Sequence, residues 1–233
     1  MKVVILAGGY GTRLSEYTDT IPKPMVPVGG KPILEHIMDI YSNFGHKNFY
    51  IALGYKGDVI RNHFKNFKKK DWKVNLIETG SDTLTGGRLK RLEKFLSKET
   101  FLLTYGDGIS NIDINELIKF HKDHKQMVTI SAVRPPARFG SLSLDGSNVI
   151  KFQEKKQLGE SWINGGFFVV NPEFFNYLKD DKTVLEKEPL ESITNLKKLK
   201  AFKHTGFWQC MDHKLDKDYL EELLASNKAP WIK

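Results

Sequence analysis

Met1-Lys2-Val3-Val4-Ile5-Leu6-Ala7-Gly8-Gly9-Tyr10-Gly11-Thr12-Arg13-Leu14 is the stretch whose reading decides the architecture. An apolar run of strand length passes straight into glycines, so a buried strand delivers the chain to a loop whose backbone amides an anion can approach closely. The apolar run is too short for a secretory leader and no small-residue cleavage site follows it, so it reads as a first strand. Two phosphate-binding fingerprints can be tested here and both fail. Gly9-x-Gly11 is present, but Leu14 occupies the third glycine position of the dinucleotide motif; Lys31 follows Gly30, but Pro32 stands where the phosphate loop needs Ser or Thr. What remains is a glycine loop ending in Thr12 and Arg13, and arginine offers a planar fork suited to phosphate oxygens.

Outward from that loop, apolar runs alternate with amphipathic segments. Strands are predicted at 2–7, 48–53, 73–78, 100–105, 127–133 and 163–170. Helices are predicted at 32–44, 57–66, 113–124, 187–196 and 214–225, with a short one opened by Pro172. Strands separated by helical stretches of about 10 to 15 residues are the signature of right-handed βαβ units. After about residue 134 the texture changes, and Asp145-Gly146 between short strands from Phe139 to Phe152 predicts a hairpin. There is no repeat and no Pro/Ser-rich linker. The expectation is one α/β domain over 1–233: a Rossmann-like, doubly wound, mainly parallel sheet with a small mixed β extension.

The 233 residues are 40% hydrophobic and 27% charged, an ordinary globular balance. No apolar run approaches the roughly 20 residues that span a bilayer. Cys210 is the single cysteine, which excludes an internal disulfide and fits a reducing cytoplasm. The net charge is +8, and from Arg61 to Arg91 nine Lys or Arg face three acids. A nucleic-acid surface would interleave such a run with stacking aromatics in a recognised module. Phe64 and Phe67 sit at helical spacing instead and read as a helix's inner face, and Lys68-Lys69-Lys70 as a solvated turn. Small anionic molecules are therefore the expected partners, not nucleic acid or a membrane.

Three further features carry chemistry. Pro22-Lys23-Pro24-Met25 holds a lysine on a stiff, extended base. Asp107, in Tyr105-Gly106-Asp107-Gly108, ends the predicted fourth strand, and ligands of open parallel sheets bind at such carboxyl ends. A glycine-flanked aspartate there has room to hold Mg²⁺. Asp212 is a second late carboxylate that could complete a metal site, although no spacing rule links the two. His121-x-x-His124 lacks an acidic or thiol ligand set and reads as a solvated helix face, and Cys210 reads as a packed thiol.

In order along the chain, Leu6 to Leu14, Lys23-Pro24-Met25, Gly86-Gly87-Arg88-Leu89-Lys90-Arg91, Tyr105-Gly106-Asp107-Gly108, Arg138-Phe139-Gly140, Phe152-Gln153-Glu154-Lys155, Ile163 to Phe168, Gly206-Phe207-Trp208-Gln209 and Lys228-Ala229-Pro230-Trp231 form a recognisable series. Together they resemble the sugar-phosphate nucleotidylyltransferases, most closely the glucose-1-phosphate cytidylyltransferases. The resemblance implies that an acceptor phosphate attacks the α-phosphorus of CTP in line and pyrophosphate leaves. It implies that Leu6, Ala7, Gly8, Gly9, Gly11, Thr12 and Arg13 hold the nucleotide triphosphate, with Gly86, Gly87 and Arg88 on the nucleotide side. Lys23 would steady the phosphates, Asp107 and Asp212 would bind Mg²⁺, and Glu154, Lys155, Asn164 and Gly165 would line the acceptor site. Arg13, Lys23 and Asp107 are then the catalytic set. The nucleotide part would occupy about 1–133 and the acceptor part about 134–233, in a cytoplasmic homo-oligomer of polysaccharide biosynthesis. No side-chain nucleophile is needed, because the acceptor phosphate is already an anion and catalysis reduces to positioning and charge neutralisation.

The chain departs from the family in a short, lysine-rich segment before Gly86 and in His213-Lys214-Leu215, where Thr-Leu-Arg is usual. Two other readings stay open: the same transfer to a different acceptor, such as a hexose 6-phosphate or a polyol phosphate, and a non-catalytic nucleotide-sensing subunit. Retention of Arg13, Lys23 and Asp107 together argues against the sensor.

Overall fold

The computed structural model describes residues 1–65, 67, 71–135, 140–153 and 161–232. Seven strands form the central sheet: β1 (Lys2–Leu6), β2 (Asn48–Leu53), β3 (Lys73–Glu78), β4 (Phe101–Tyr105), β5 (Val128–Val133), β6 (Ile163–Val170) and β7 (Leu199–Lys203). They lie in the order β3-β2-β1-β4-β6-β5-β7. β6 runs antiparallel to both neighbours and every other pairing is parallel. The chain builds outward from β1 to β3, then crosses back to place β4 on the other side of β1. That reversal opens a crevice at the carboxyl ends of β1 and β4, the usual ligand position in a doubly wound sheet.

The near-continuous apolar sequence of β1 follows from helices covering both faces. Val3 and Ile5 pack with α1 (Ile33–Ser42), α2 (Gly57–Lys65), α4 (Ile114–His124) and Leu220 of α6 (Lys214–Ala225). Val4 and Leu6 point the other way, into a core shared with α3 (Thr85–Arg91), Phe174, Phe175 and α5 (Glu188–Asn195). Each fully buried aliphatic side chain of this kind contributes about 2 kcal/mol. The predicted hairpin is present as Ser141–Asp145 paired with Asn148–Gln153, turning at Gly146 in the left-handed region. Among the described residues no helix is long and apolar enough to cross a membrane.

Several elements escaped the sequence pattern, three of them with consequences for the fold. β7 reads Leu-Lys-Ala-Phe-Lys and is an edge strand, where exposed lysines discourage pairing with another chain. α3 carries Gly86 and Gly87, poor helix formers. They are required there because a Cβ at Gly87 would lie 2.6 Å from the Asp181 backbone, and one at Gly86 2.7 Å from Thr183. Third, Gly108–Ser110 pairs antiparallel with Trp208–Cys210, a ribbon across nearly 100 residues of sequence.

His121 and His124 correct the expectation of a solvated face. His121 is 3% exposed and lies between β5 and the turn after β6. Its Nε2–H donates to Asn171 Oδ1 (3.1 Å) and its Nδ1 accepts from the Thr129 hydroxyl (2.8 Å). His124 Nε2–H donates to the same hydroxyl oxygen (2.7 Å), while its Nδ1 accepts from the Gln126 backbone N–H (2.9 Å). The chain of bonds is complete only with both rings neutral, and burial lowers both imidazoles from their ordinary value. A folded pKa below the unfolded one means that stability is full above about pH 6.5 and falls as pH drops below it, by up to ~1.4 kcal/mol per pH unit for each such histidine. Urea unfolding at pH 7.5 and 5.5 should therefore show a loss of stability at the lower pH, and His121→Gln should flatten that dependence.

Candidate active site

The crevice is a cleft of about 560 Å³, ample for a small-molecule ligand. Leu6, Ala7, Gly8, Gly9, Gly11, Thr12, Arg13, Lys23, Arg88, Asp107, Asn164, Gly165 and Asp212 all line it. Gly86 and Gly87 do not; they serve the contact of α3 with 181–185. Glu154 and Lys155 lie outside the described residues.

The glycine loop leaves β1 and turns at Gly11, whose φ is +65°. A Cβ there would also meet Lys23 Cβ at 2.9 Å and Thr18 at 3.0 Å. Gly9, Thr12 and Arg13 remain exposed. Gly8 has a different reason to be glycine: an added Cβ would lie 2.2 Å from the Arg88 guanidinium, and the same holds at Gly54. Arg88, only 4% exposed, passes beneath the loop and donates to the carbonyls of Gly8 (2.8 Å), Leu53 (3.1 Å), Gly80 (2.6 Å) and Ser81 (3.0 Å) and to the Thr79 hydroxyl (2.9 Å). It fastens the glycine loop, β2 and the wall at 79–81 into one cradle.

Beside Gly11, Pro22 holds an extended backbone and a single 3₁₀ turn follows, so that Lys23 projects inward with 8% exposure. Its ammonium donates to Asp107 Oδ2 (2.6 Å) and Asp212 Oδ1 (2.5 Å), and Arg13 Nη1 donates to Asp212 Oδ2 (2.7 Å). Burial works against the Lys23 charge, but the two carboxylates outweigh it and hold the ammonium above its ordinary range. Burial likewise opposes the Asp212 charge, and the bond from Lys23 with the charges of Lys23 and Arg13 holds this carboxyl below the usual range. The 108–110/208–210 ribbon supplies the link that sequence spacing could not: Gly108 pairs with Cys210, so the residues flanking each strand meet at one end. Asp216 completes the support by accepting from the backbone N–H groups of Asp212 (2.9 Å) and His213 (2.8 Å).

Asn164 and Gly165 reach the cleft through a bulge. The register of β6 against β5 shifts between Asn164 and Phe168, and Gly166 adopts φ +79°, where a Cβ would strike the Tyr105 ring at 2.8 Å. Asn164 Oδ1 accepts from Gly166 N–H (2.7 Å), and Trp208 Nε1–H anchors the Gly165 carbonyl (2.7 Å). Tyr105 and Trp208, which the sequence showed only as parts of motifs, Cys210, expected as a packed thiol, and the 81–85 wall also line the cleft. Cys210 Sγ lies within 4.8 Å of oxygens from both aspartates.

This arrangement can be compared with known proteins. The family model described as nucleotidyl transferase matches residues 2–209. The chain belongs to the nucleotidyl transferase family. It is 47% identical to glucose-1-phosphate cytidylyltransferase of Salmonella typhi, over 99% of this chain and 98% of that protein. It is 34% identical to mannose-1-phosphate guanyltransferase of Saccharomyces cerevisiae, over 94% of this chain and 63% of that one. Among solved structures, HddC of Yersinia pseudotuberculosis with GMP-PN superposes with a TM-score of 0.75 at 29% identity, over 96% of this chain and 99% of that one.

In this nucleotidyl transferase the donor set can be tested against a divalent ion. Asp107 and Asp212 bring hard carboxylate oxygens together, which suits Mg²⁺. Burial, then the nearby Asp107 charge, pushes the Cys210 thiol up, so it stays protonated and is no ligand for a hard cation. The two carboxylates fit Mg²⁺. Arg88, by contrast, has both terminal guanidinium nitrogens engaged by the fold. Arg88→Lys should lower stability by about 3 kcal/mol, since several buried carbonyls lose a charged donor; urea denaturation measures it, and a change within 0.5 kcal/mol, roughly the size of a neutral surface substitution, would contradict the clamp.

Proposed function

We propose that the chain transfers the cytidylyl group of CTP to glucose 1-phosphate, forming CDP-glucose and pyrophosphate. One observation carries the proposal: the linked set Arg13–Asp212–Lys23–Asp107 gathered at the mouth of a glycine loop. Two cations and two carboxylates in that order suit a phosphoryl centre and its metal, and the 47% identity to a glucose-1-phosphate cytidylyltransferase supports the choice of substrates.

The glycine loop takes the triphosphate. The exposed backbone of Gly9 and Thr12 and the Arg13 fork face its oxygens, while Arg88 holds the loop in shape from beneath. Mg²⁺, held by Asp107 and Asp212, supplies charge neutralisation at the phosphates when bound. Lys23 then turns its ammonium to the α-phosphate and the incoming phosphate, for which its fixed base and enforced charge equip it. Asn164 and Gly165 line the acceptor site. The acceptor phosphate oxygen attacks the α-phosphorus, the bond to the bridging oxygen breaks, and pyrophosphate carries away the charge.

The altered segment at 213–215 does not favour another acceptor. His213 is the N-cap of α6, Leu215 is 81% exposed, and the segment's work is helix entry.

A pyrophosphate-release screen crossing four nucleoside triphosphates with glucose 1-phosphate, hexose 6-phosphates and polyol phosphates tests the reading. CTP with glucose 1-phosphate should give the highest kcat/KM; silence with that pair while another turned over would refute it. Within the same assay, Asp107→Asn should lower kcat by at least about 100-fold with the fold intact. Lys23→Ala should depress kcat more than it raises KM for CTP, because its charge is most useful as negative charge shifts onto bridging and leaving oxygens.

A further inference from the structure

One carboxylate outside the set above ties together the walls of the cleft. Glu186 follows Leu185 in the segment leading to α5. Its Oε1 accepts the Tyr105 hydroxyl proton (2.5 Å) and its Oε2 accepts that of Thr85 (2.7 Å). The Thr85 oxygen in turn accepts from Leu185 N–H (2.9 Å), and the Tyr105 oxygen accepts from Asn164 Nδ2 (3.2 Å). Thr85, Tyr105 and Asn164 all line the cleft. The first turn of α3, the end of β4 and the β6 bulge are thus joined through a single side chain.

The direction of the protons gives this chain a consequence. An ionised carboxylate only accepts, so both hydroxyl protons point toward Glu186 and away from the cleft. The Tyr105 oxygen, its own proton committed to Glu186, is left as an acceptor, as its bond from Asn164 Nδ2 shows. A wall of acceptor oxygens beside a carboxylate suits a hydroxyl and repels a phosphate. The phosphates belong with the cations Arg13 and Lys23. We propose that Glu186 is a positioning residue for the acceptor: by taking the Tyr105 proton it turns the phenol oxygen into a receptor for a sugar hydroxyl. The inference rests on the acceptor site at Asn164 and Gly165 given above, and adds a recognition element on β4 that acts through Glu186.

The test is a double-mutant cycle of Glu186→Gln and Tyr105→Phe, read first as the Kd for glucose 1-phosphate by titration calorimetry. Each single variant should weaken binding roughly tenfold, the worth of one well-placed neutral hydrogen bond. The double variant should be no weaker than either single, because Glu186 acts through the phenol. In turnover with saturating CTP, KM for the sugar phosphate should rise by the same factor, with kcat and KM for CTP within about twofold. Multiplying effects in the double variant, an unchanged sugar affinity in Tyr105→Phe, or equal shifts in both KM values would each overturn the proposal. Tyr105→Phe removes only one oxygen and keeps the test decisive if Glu186→Gln folds poorly. Because Kd is measured without CTP, an inactive wild type that still shows the cycle would count against the transfer reading alone.

Discussion

The Lys23 ammonium between Asp107 and Asp212 is the interaction on which the rest of the site depends. A charge this buried is tolerated only if it is paired, and removing one partner of such a pair costs several kcal/mol. Three distant segments must therefore converge. The Pro22–Met25 turn brings the lysine, the end of β4 brings Asp107, and the 208–210 strand brings Asp212. Gly106 makes the convergence possible, since a Cβ there would meet Pro24 at 2.9 Å and the Leu6 carbonyl at 3.1 Å. Gly106 is thus an answer to crowding as much as an opening for a ligand.

Two buried cations lie near the glycine loop and their partners differ in kind. Arg88 spends its donors on main-chain carbonyls and one hydroxyl, groups that belong to the fold and cannot be exchanged. Lys23 and Arg13 spend theirs on carboxylates, the groups that would hold a divalent ion on the proposed reading, and the cations would then be available to phosphate oxygens. The first arrangement gives a rigid cradle, the second a set of charges with alternative partners. Preorganisation of the first kind makes the second useful, because charge is effective in transfer only when its position is fixed beforehand.

The strands were legible in the sequence because burial on both faces makes them nearly continuous apolar runs, as in Val3 to Ala7 and Phe167 to Val170. The sequence-separated parts were not. Nothing in local pattern pairs Gly108 with Cys210, and so nothing announces that Asp107 and Asp212 meet. Gly86 and Gly87 stood out as a motif, yet their reason is backbone crowding against 181–183. His121 shows the converse error. With no acidic or thiol ligand set near it in sequence it reads as solvated, and its burial rests on the tertiary partners Thr129 and Asn171.

The charge layout of the cleft also orders the events within it. Cations and the metal-fitting carboxylates form one bonded set, and Tyr105 and Asn164, held by Glu186, form another. A sugar phosphate is itself polar in this sense, anionic at one end and hydroxylated at the other. On the proposed reading its phosphate would go to Lys23 and its ring to Tyr105 and Asn164, so orientation would be set before any bond forms. Orientation of that kind converts an encounter between two anions into an attack along one line, which is where positioning alone can lower the barrier by several kcal/mol.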